Sequence, residues 1–133
     1  MIYLASPYAH PDAAVREARF QDACRAAALL IRDGHPTFSP IAHSHPIAAY
    51  GLPTDWSFWE RDAREHLETS AELVVLMLDG WRESVGVDAE IAIARDLGKP
   101  IRFLVLRTLP PTAFLRGSFR SQAILLFSDS LLT

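Results

Sequence analysis

The sequence has one cysteine, Cys24, so no disulfide can form within the chain. It has one lysine, Lys99, among thirteen cationic side chains. Any Schiff-base or phosphate-loop lysine would have to be Lys99. That residue sits in Gly98-Lys99-Pro100, a turn signal between a helix and a strand. No apolar run approaches the roughly 20 residues of a membrane helix. The N-terminus opens directly into a strand-like run, with no charged segment before a long apolar stretch. Excess positive charge is also missing: the formal net charge is −3 and the pI about 5.9. A nucleic-acid polymer is therefore a poor partner. GxGxxG, GxxxxGK(S/T) and GxSxG are all absent, which removes the fingerprints of dinucleotide, P-loop and hydrolase-elbow sites. The expectation is a soluble cytoplasmic protein with no dinucleotide cofactor and no membrane contact.

What is present is a balanced globular composition. Half of the 133 residues are hydrophobic and 22% are charged, enough to bury a core without disulfides or metal. One domain over residues 1–133 is expected, with the tail from 107 to 133 the least readable part. Ile2 to Ala5 reads as a buried strand and Pro11 to Asp33 as a helix. In that helix Phe20, Cys24, Ala27 and Ile31 recur at helical spacing. His35 to Ser39 reads as a second strand, and Pro40 to Thr54 as irregular. Asp55 to Ser70 reads as a helix, Glu72 to Leu78 as a strand buried on both faces. After Ser84 a third helix carries Val87, Ile91, Ala94 and Leu97 on one face; Ile101 to Leu106 is a fourth strand. Pro110-Pro111 break the tail, and Ala123 to Phe127 fits either a fifth strand or a terminal helix. Alternation of apolar strands with helices predicts an α/β fold. The sheet is expected to be mostly parallel, with four to five strands ordered 2-1-3-4 and helices on both faces.

In such a sheet ligands bind beyond the carboxyl ends of the strands. Those ends carry Ser6 and Tyr8 after the first strand, Ser39 and Pro40 after the second, and Asp79-Gly80-Trp81 after the third. Asp62 lies at the edge of the stripe Trp56, Trp59, Ala63 and Leu67, where a carboxylate needs a partner or a proton. Glu90 lies early in the third helix, as a dipole partner or as a catalytic acid. Ser84 is either a plain N-cap or a phosphate ligand. Two converging acids would suit cleavage of a glycosidic bond. His43-Ser44-His45 is too weak a pattern for a metal site, so no metal is expected. A substrate-lining role for His43 fits better.

Several segments in order resemble the nucleoside 2-deoxyribosyltransferase superfamily, and within it a small bacterial branch. They are Ile2-Tyr3-Leu4-Ala5-Ser6-Pro7-Tyr8, Phe38-Ser39-Pro40, His43-Ser44-His45-Pro46, Trp59 with Asp62, Leu76-Met77-Leu78-Asp79-Gly80-Trp81, and Ser84-Val85-Gly86-Val87-Asp88-Ala89-Glu90-Ile91. Gly98-Lys99-Pro100 closes a resemblance that spans residues 2 to 106. The resemblance implies a Rossmann-like, flavodoxin-type sheet, in agreement with the reading above, and cleavage of the N-glycosidic bond of a nucleoside or nucleotide, with water or another base as acceptor. It implies Glu90 as the nucleophile, Asp62 as the acid that protonates the departing base, and Asp79 as the acid that orients the base. Tyr8 would face the sugar, Ser84 would hold a phosphate, and a homo-oligomer, a dimer or larger, would complete the site. The first loop, Ser6-Pro7-Tyr8-Ala9-His10, lacks the glycine-rich phosphate loop of the nucleotide hydrolases. The chemistry is coherent: a carboxylate stabilises an oxocarbenium-like transition state. An apolar flank such as Trp59 favours a protonated acid and offers a stacking surface. Gly86 lets a ligand approach the helix N-terminus, whose dipole is expected to keep Glu90 ionised. A non-catalytic nucleotide- or metabolite-binding module on the same fold is the alternative.

Overall fold

A computed structural model describes residues 1–108 and 122–129 of the chain. In chain order the elements are β1 (Ile2–Ala5), α1 (Ala13–Arg32), β2 (Thr37–Phe38), α2 (Pro40–Ala48), α3 (Trp56–Thr69), β3 (Glu72–Leu76), a 3-10 turn (Trp81–Glu83), α4 (Val85–Asp96), β4 (Ile101–Thr108) and β5 (Gln122–Ser128). They build one sheet of order β2-β1-β3-β4-β5. The first four strands are parallel, as alternation with helices predicts, and β5 returns antiparallel along β4. The tail is thus a strand rather than a helix over Gln122–Ser128; the Pro110-Pro111 break lies outside the described residues.

Strand pleating sends alternate side chains to opposite faces. Tyr3, Ala5, Leu73, Val75 and Phe103 point to one face, where Ala63 and Leu67 of α3 and Val87, Ile93 and Ala94 of α4 cover them. Ile2, Leu4, Val74, Leu76 and Leu104 point to the other, covered by Ala26, Ala27 and Leu30 of α1. Each side chain of this kind taken fully out of water stabilises the fold by about 1.5–3 kcal/mol.

Two helical stripes differ from the expected ones. On α1 the buried side chains are Ala23, Ala26, Ala27, Leu29 and Leu30, while Ile31 is 55% exposed. Small alanines let the helix approach the sheet closely, so the stripe is set by size as well as hydrophobicity. On α4 the inward positions are Val87, Glu90, Ile93 and Ala94, and Leu97 is exposed. The segment Pro40 to Thr54, expected to be irregular, begins with α2. Ser39 caps that helix by accepting from the Ala42 amide at 3.1 Å, and Pro40 takes the first turn, where its missing N–H costs nothing. Pro46 inside the helix disguises it. No helix among the described residues is long and apolar enough to cross a membrane.

Candidate active site

From β1 the chain goes to β2 on one side, then returns to β3 on the other. Beyond the carboxyl ends of β1 and β3 this reversal opens a crevice. A cavity of about 610 Å³ occupies it, a volume suited to a small-molecule ligand. Tyr3, Ser6 and Tyr8 line it from β1 and the loop that follows; Trp56, Trp59 and Asp62 come from α3; Ser84, Gly86 and Glu90 come from α4 and its cap.

Glu90 stands in the second turn of α4 on its inward face and is 4% exposed. Ser84 starts that helix, its Oγ accepting from the Val87 amide at 3.3 Å. Loss of hydration lifts the Glu90 carboxyl from its ordinary 4.5 to about 8, and the neighbouring Tyr3 hydroxyl draws it only partly back. The expectation that the helix dipole keeps Glu90 ionised is therefore corrected. The dipole field fades within the first turn, whereas desolvation of a buried carboxylate is worth several units. The Tyr3 phenol is likewise held well above its usual range by burial, then by the Glu90 charge.

Three buried polar atoms among the described residues, Tyr3 OH, Ser6 Oγ and Glu90 Oε2, lack a partner in good hydrogen-bond geometry, although Tyr3 and Glu90 lie close enough for each to shift the other's proton affinity. All three residues line the cavity. Buried polar atoms are normally satisfied, so their concentration at one cavity marks a place where a polar ligand or water completes the bonding.

Asp62 lies at the edge of the α3 stripe as its spacing predicts, with 43% of its side chain exposed. Its Oδ2 faces His43 Nε2 at 3.8 Å and His66 Nε2 at 3.9 Å. His43 is beside this carboxylate but outside the cavity lining. His45, the other histidine of the pair, turns elsewhere. Its Nδ1 meets Tyr8 OH at 2.6 Å, its Nε2 meets Glu17 Oε2 at 2.7 Å, and Phe20 stacks on its ring. An ionised Glu17 only accepts, so in the neutral ring Nε2 carries the proton and Nδ1 accepts from Tyr8. In that ring form the Tyr8 proton points to His45, and the Tyr8 oxygen, which also takes a hydrogen bond from Arg16, keeps acceptor capacity for a ligand. Hydrogen bonds from Gln21 and then His45 hold Glu17 below the usual carboxylate range, which keeps it an acceptor.

Trp59 is fixed by donating Nε1 to Pro53 O at 2.8 Å. Trp56 and Trp59 are both half-buried against the cavity rather than forming a bare outer face. A Cβ on Gly86 would sit 3.5 Å from Trp56 Cε3 and 3.7 Å from Glu90 Oε1, so the glycine keeps open the space between indole and carboxyl. Asp79 is exposed and is not among the lining residues; its backbone carbonyl accepts from Arg19 Nη2 at 3.2 Å. Of the residues singled out in the sequence, the cavity gathers Ser6, Tyr8, Trp59, Asp62, Ser84, Gly86 and Glu90; His43 and Asp79 stand outside its lining.

Sequence reasoning missed Tyr3 and Arg19. Tyr3 was hidden as one more residue of an apolar strand, although a phenol at a fully buried position is itself a signal. Arg19 lines the cavity and ties Ala9 O, at 2.9 Å, to Asp79 O, joining the loops after β1 and β3. Nothing in the spacing of α1 marks it.

The chain belongs to the family described as a domain of unknown function (DUF1937), which matches residues 1–105. No curated protein matches the sequence.

Proposed function

We propose that this protein breaks the N-glycosidic bond of a nucleoside or nucleotide, with water or a second base as acceptor, through a glycosyl-enzyme on Glu90. The observation that carries the reading is the set of unpartnered buried polar atoms, Tyr3 OH, Ser6 Oγ and Glu90 Oε2, around one cavity that also holds Asp62. The resemblance to nucleoside 2-deoxyribosyltransferases supports the roles of Glu90 and Asp62.

In this reading Trp56 and Trp59 give planar walls for the base. The Tyr8 oxygen accepts from a sugar hydroxyl. The Glu90 carboxylate attacks C1′: the C1′–O bond forms as the C1′–N bond breaks, and Asp62 passes a proton to the departing base. Water or a second base then displaces the carboxylate, and the proton released by that acceptor returns to Asp62. The reactive form has Glu90 ionised. With a pKa of about 8, roughly one empty site in ten is in that form at pH 7. The same protonated carboxyl favours the alternative, a binding module: a neutral acid can donate a hydrogen bond to a ligand without attacking it.

A homo-oligomer belongs to this reading. Ile47, Tyr50, Leu52, Phe58 and Val85 are exposed apolar residues, all on the segments that border the cavity, and a second copy would cover them. Light scattering at micromolar concentration is expected to give a dimer or larger; a clean monomer removes this element.

The test of the chemistry is a panel of nucleosides and nucleotides, with and without a second free base, resolved by chromatography. Base release alone means hydrolysis and base exchange means transfer. Intact-protein mass spectrometry should show a sugar adduct that Glu90→Gln loses. Ligands that bind without any release of base would sink the catalytic reading in favour of the binding module.

A further inference from the structure

We propose that His43, Asp62 and His66 form a binding site for one divalent transition-metal ion beside the cavity. The three side chains come from two elements: Asp62 and His66 lie one turn apart on α3, and His43 reaches over from α2. Residues four apart on a helix project to the same side.

The geometry is that of an open clasp. Asp62 Oδ2 stands 3.8 Å from His43 Nε2 and 3.9 Å from His66 Nε2, too far for hydrogen bonds. One donor atom from each residue lies within 4.8 Å of the others. Three points so placed share a centre no more than about 2.8 Å from each; zinc binds imidazole nitrogen and carboxylate oxygen at about 2.0–2.2 Å. Side-chain rotations that move each donor by less than about 1 Å therefore close the site on an ion. None of the three side chains makes a hydrogen bond among the described residues. The imidazoles are held from behind by Phe38, which stacks on His66 at 3.9 Å and packs on His43 at 5.6 Å between centroids.

His45 supplies the contrast. It also faces a carboxylate, but Nε2 and Glu17 Oε2 are 2.7 Å apart and hydrogen-bonded, leaving no room for an ion. The neighbouring His43 faces a gap instead. Two imidazoles and one carboxylate are a borderline donor set that suits Zn²⁺ or Co²⁺ better than Mg²⁺ or Ca²⁺. Three protein donors leave at least one position for water or a ligand, and Asp62 itself lines the cavity. The proposal departs from the expectation of no metal drawn from His43-Ser44-His45: its donors would be His43 and His66, with the carboxylate of Asp62 between them.

This proposal stands apart from the glycosidic reading, since it is tested by binding alone. Where both hold, Asp62 cannot hold an ion and deliver a proton at once, so the ion would act as a brake on base release.

The test uses the full chain, untagged and stripped with a chelator, titrated with Zn²⁺ by calorimetry and with Co²⁺ by its visible absorption. One ion per chain is expected, with a Kd of about 10 μM or tighter. His43→Gln, Asp62→Asn and His66→Gln should each weaken binding at least about tenfold, while His35→Gln, at an exposed histidine elsewhere, should not. All three donors are a third or more exposed, so the variants should fold; thermal melts check this. Should one fail to fold, the other two and the Co²⁺ spectrum decide. Less than one ion per chain at about 100 μM free Zn²⁺, or binding that none of the three substitutions weakens, overturns the proposal.

Discussion

Replacing Glu90 by Gln should make the protein more stable at alkaline pH while removing the proposed glycosidic activity. The unfolded chain releases the Glu90 proton near the ordinary 4.5, and the folded chain holds it until about 8. Between those values the native state carries a proton that the unfolded state has lost. Stability therefore falls as pH rises through this window and is level on either side. At about 1.4 kcal/mol per unit, the loss is about 3 kcal/mol by pH 7 and about 5 kcal/mol by pH 9. That is a large share of the 5–15 kcal/mol typical of a whole domain. Gln has nearly the shape of Glu and does not titrate, so this slope should vanish. Urea unfolding of both proteins at pH 5, 7 and 9 should show the variant gaining on the parent by about 4 kcal/mol across the range. A mere dipole partner would instead cost about 0.3–1 kcal/mol on replacement at neutral and alkaline pH. Parallel stability curves, or a Gln variant less stable than the parent at pH 9, would refute the buried, proton-holding carboxyl. A fall of at least about a hundredfold in base release, in a protein that has become more stable, would separate catalysis from folding.

Three further outcomes follow from the same geometry. With a nucleoside whose base leaves without needing the Asp62 proton, kcat/KM for base release should rise with pH, about tenfold per unit, and level off above about 8 as free Glu90 ionises; a flat or falling profile between pH 6 and 8 for that substrate would exclude the carboxylate as nucleophile. Gly86→Ala adds a methyl in ordinary contact with Trp56 and Glu90, so it should leave stability unchanged or raise it by up to about 1 kcal/mol. It should lower kcat/KM at least about tenfold by narrowing the approach to the carboxyl; unimpaired turnover would show that ligands do not pass there. Gly80→Ala puts a side chain at φ +86° and its Cβ 2.9 Å from Arg19 Nη2, so denaturant unfolding should show a loss of about 1 kcal/mol or more, and an unchanged midpoint would contradict it.

The strands were legible because they are short, apolar and bounded by turn residues, and their alternation with helices led to the order now seen. The second helix was not. Ser39 and Pro40 announce its start, but two histidines and Pro46 within nine residues outweighed them. The tail allowed strand or helix because its apolar run is short; pairing with β4 over Arg102 to Thr108 decided it. At the site, the positions of Asp62 and Glu90 came from helical spacing, whereas the protonation of Glu90 did not. Sequence shows that an acid is early in a helix; only the packing shows that the second turn faces the core. His43 and His66 are far apart in the chain, so no local pattern brings them to Asp62. Asp62 and His66 do stand four residues apart, but that spacing is common to surface ion pairs and by itself signals no metal.

The place of β1 in the sheet has a consequence for how the chain is made. β1 is synthesised before β2 and β3, yet it lies between them and is buried along its whole length. Its pairing with β2 is two residues long, and the longer pairing waits for Glu72–Leu76. At synthesis rates of about 5–20 residues per second, that partner follows roughly 4–14 s later. Throughout that interval an apolar strand has an open edge on one side, the kind of surface that joins strands from other chains. The local structure that can form meanwhile is α1, whose Ala26, Ala27 and Leu30 already match Ile2 and Leu4. An early α1–β1 unit would shield one face of the strand and leave the edge for β3. Changes that weaken α1 should therefore lower the yield of soluble protein during synthesis more than they lower the stability of the finished fold.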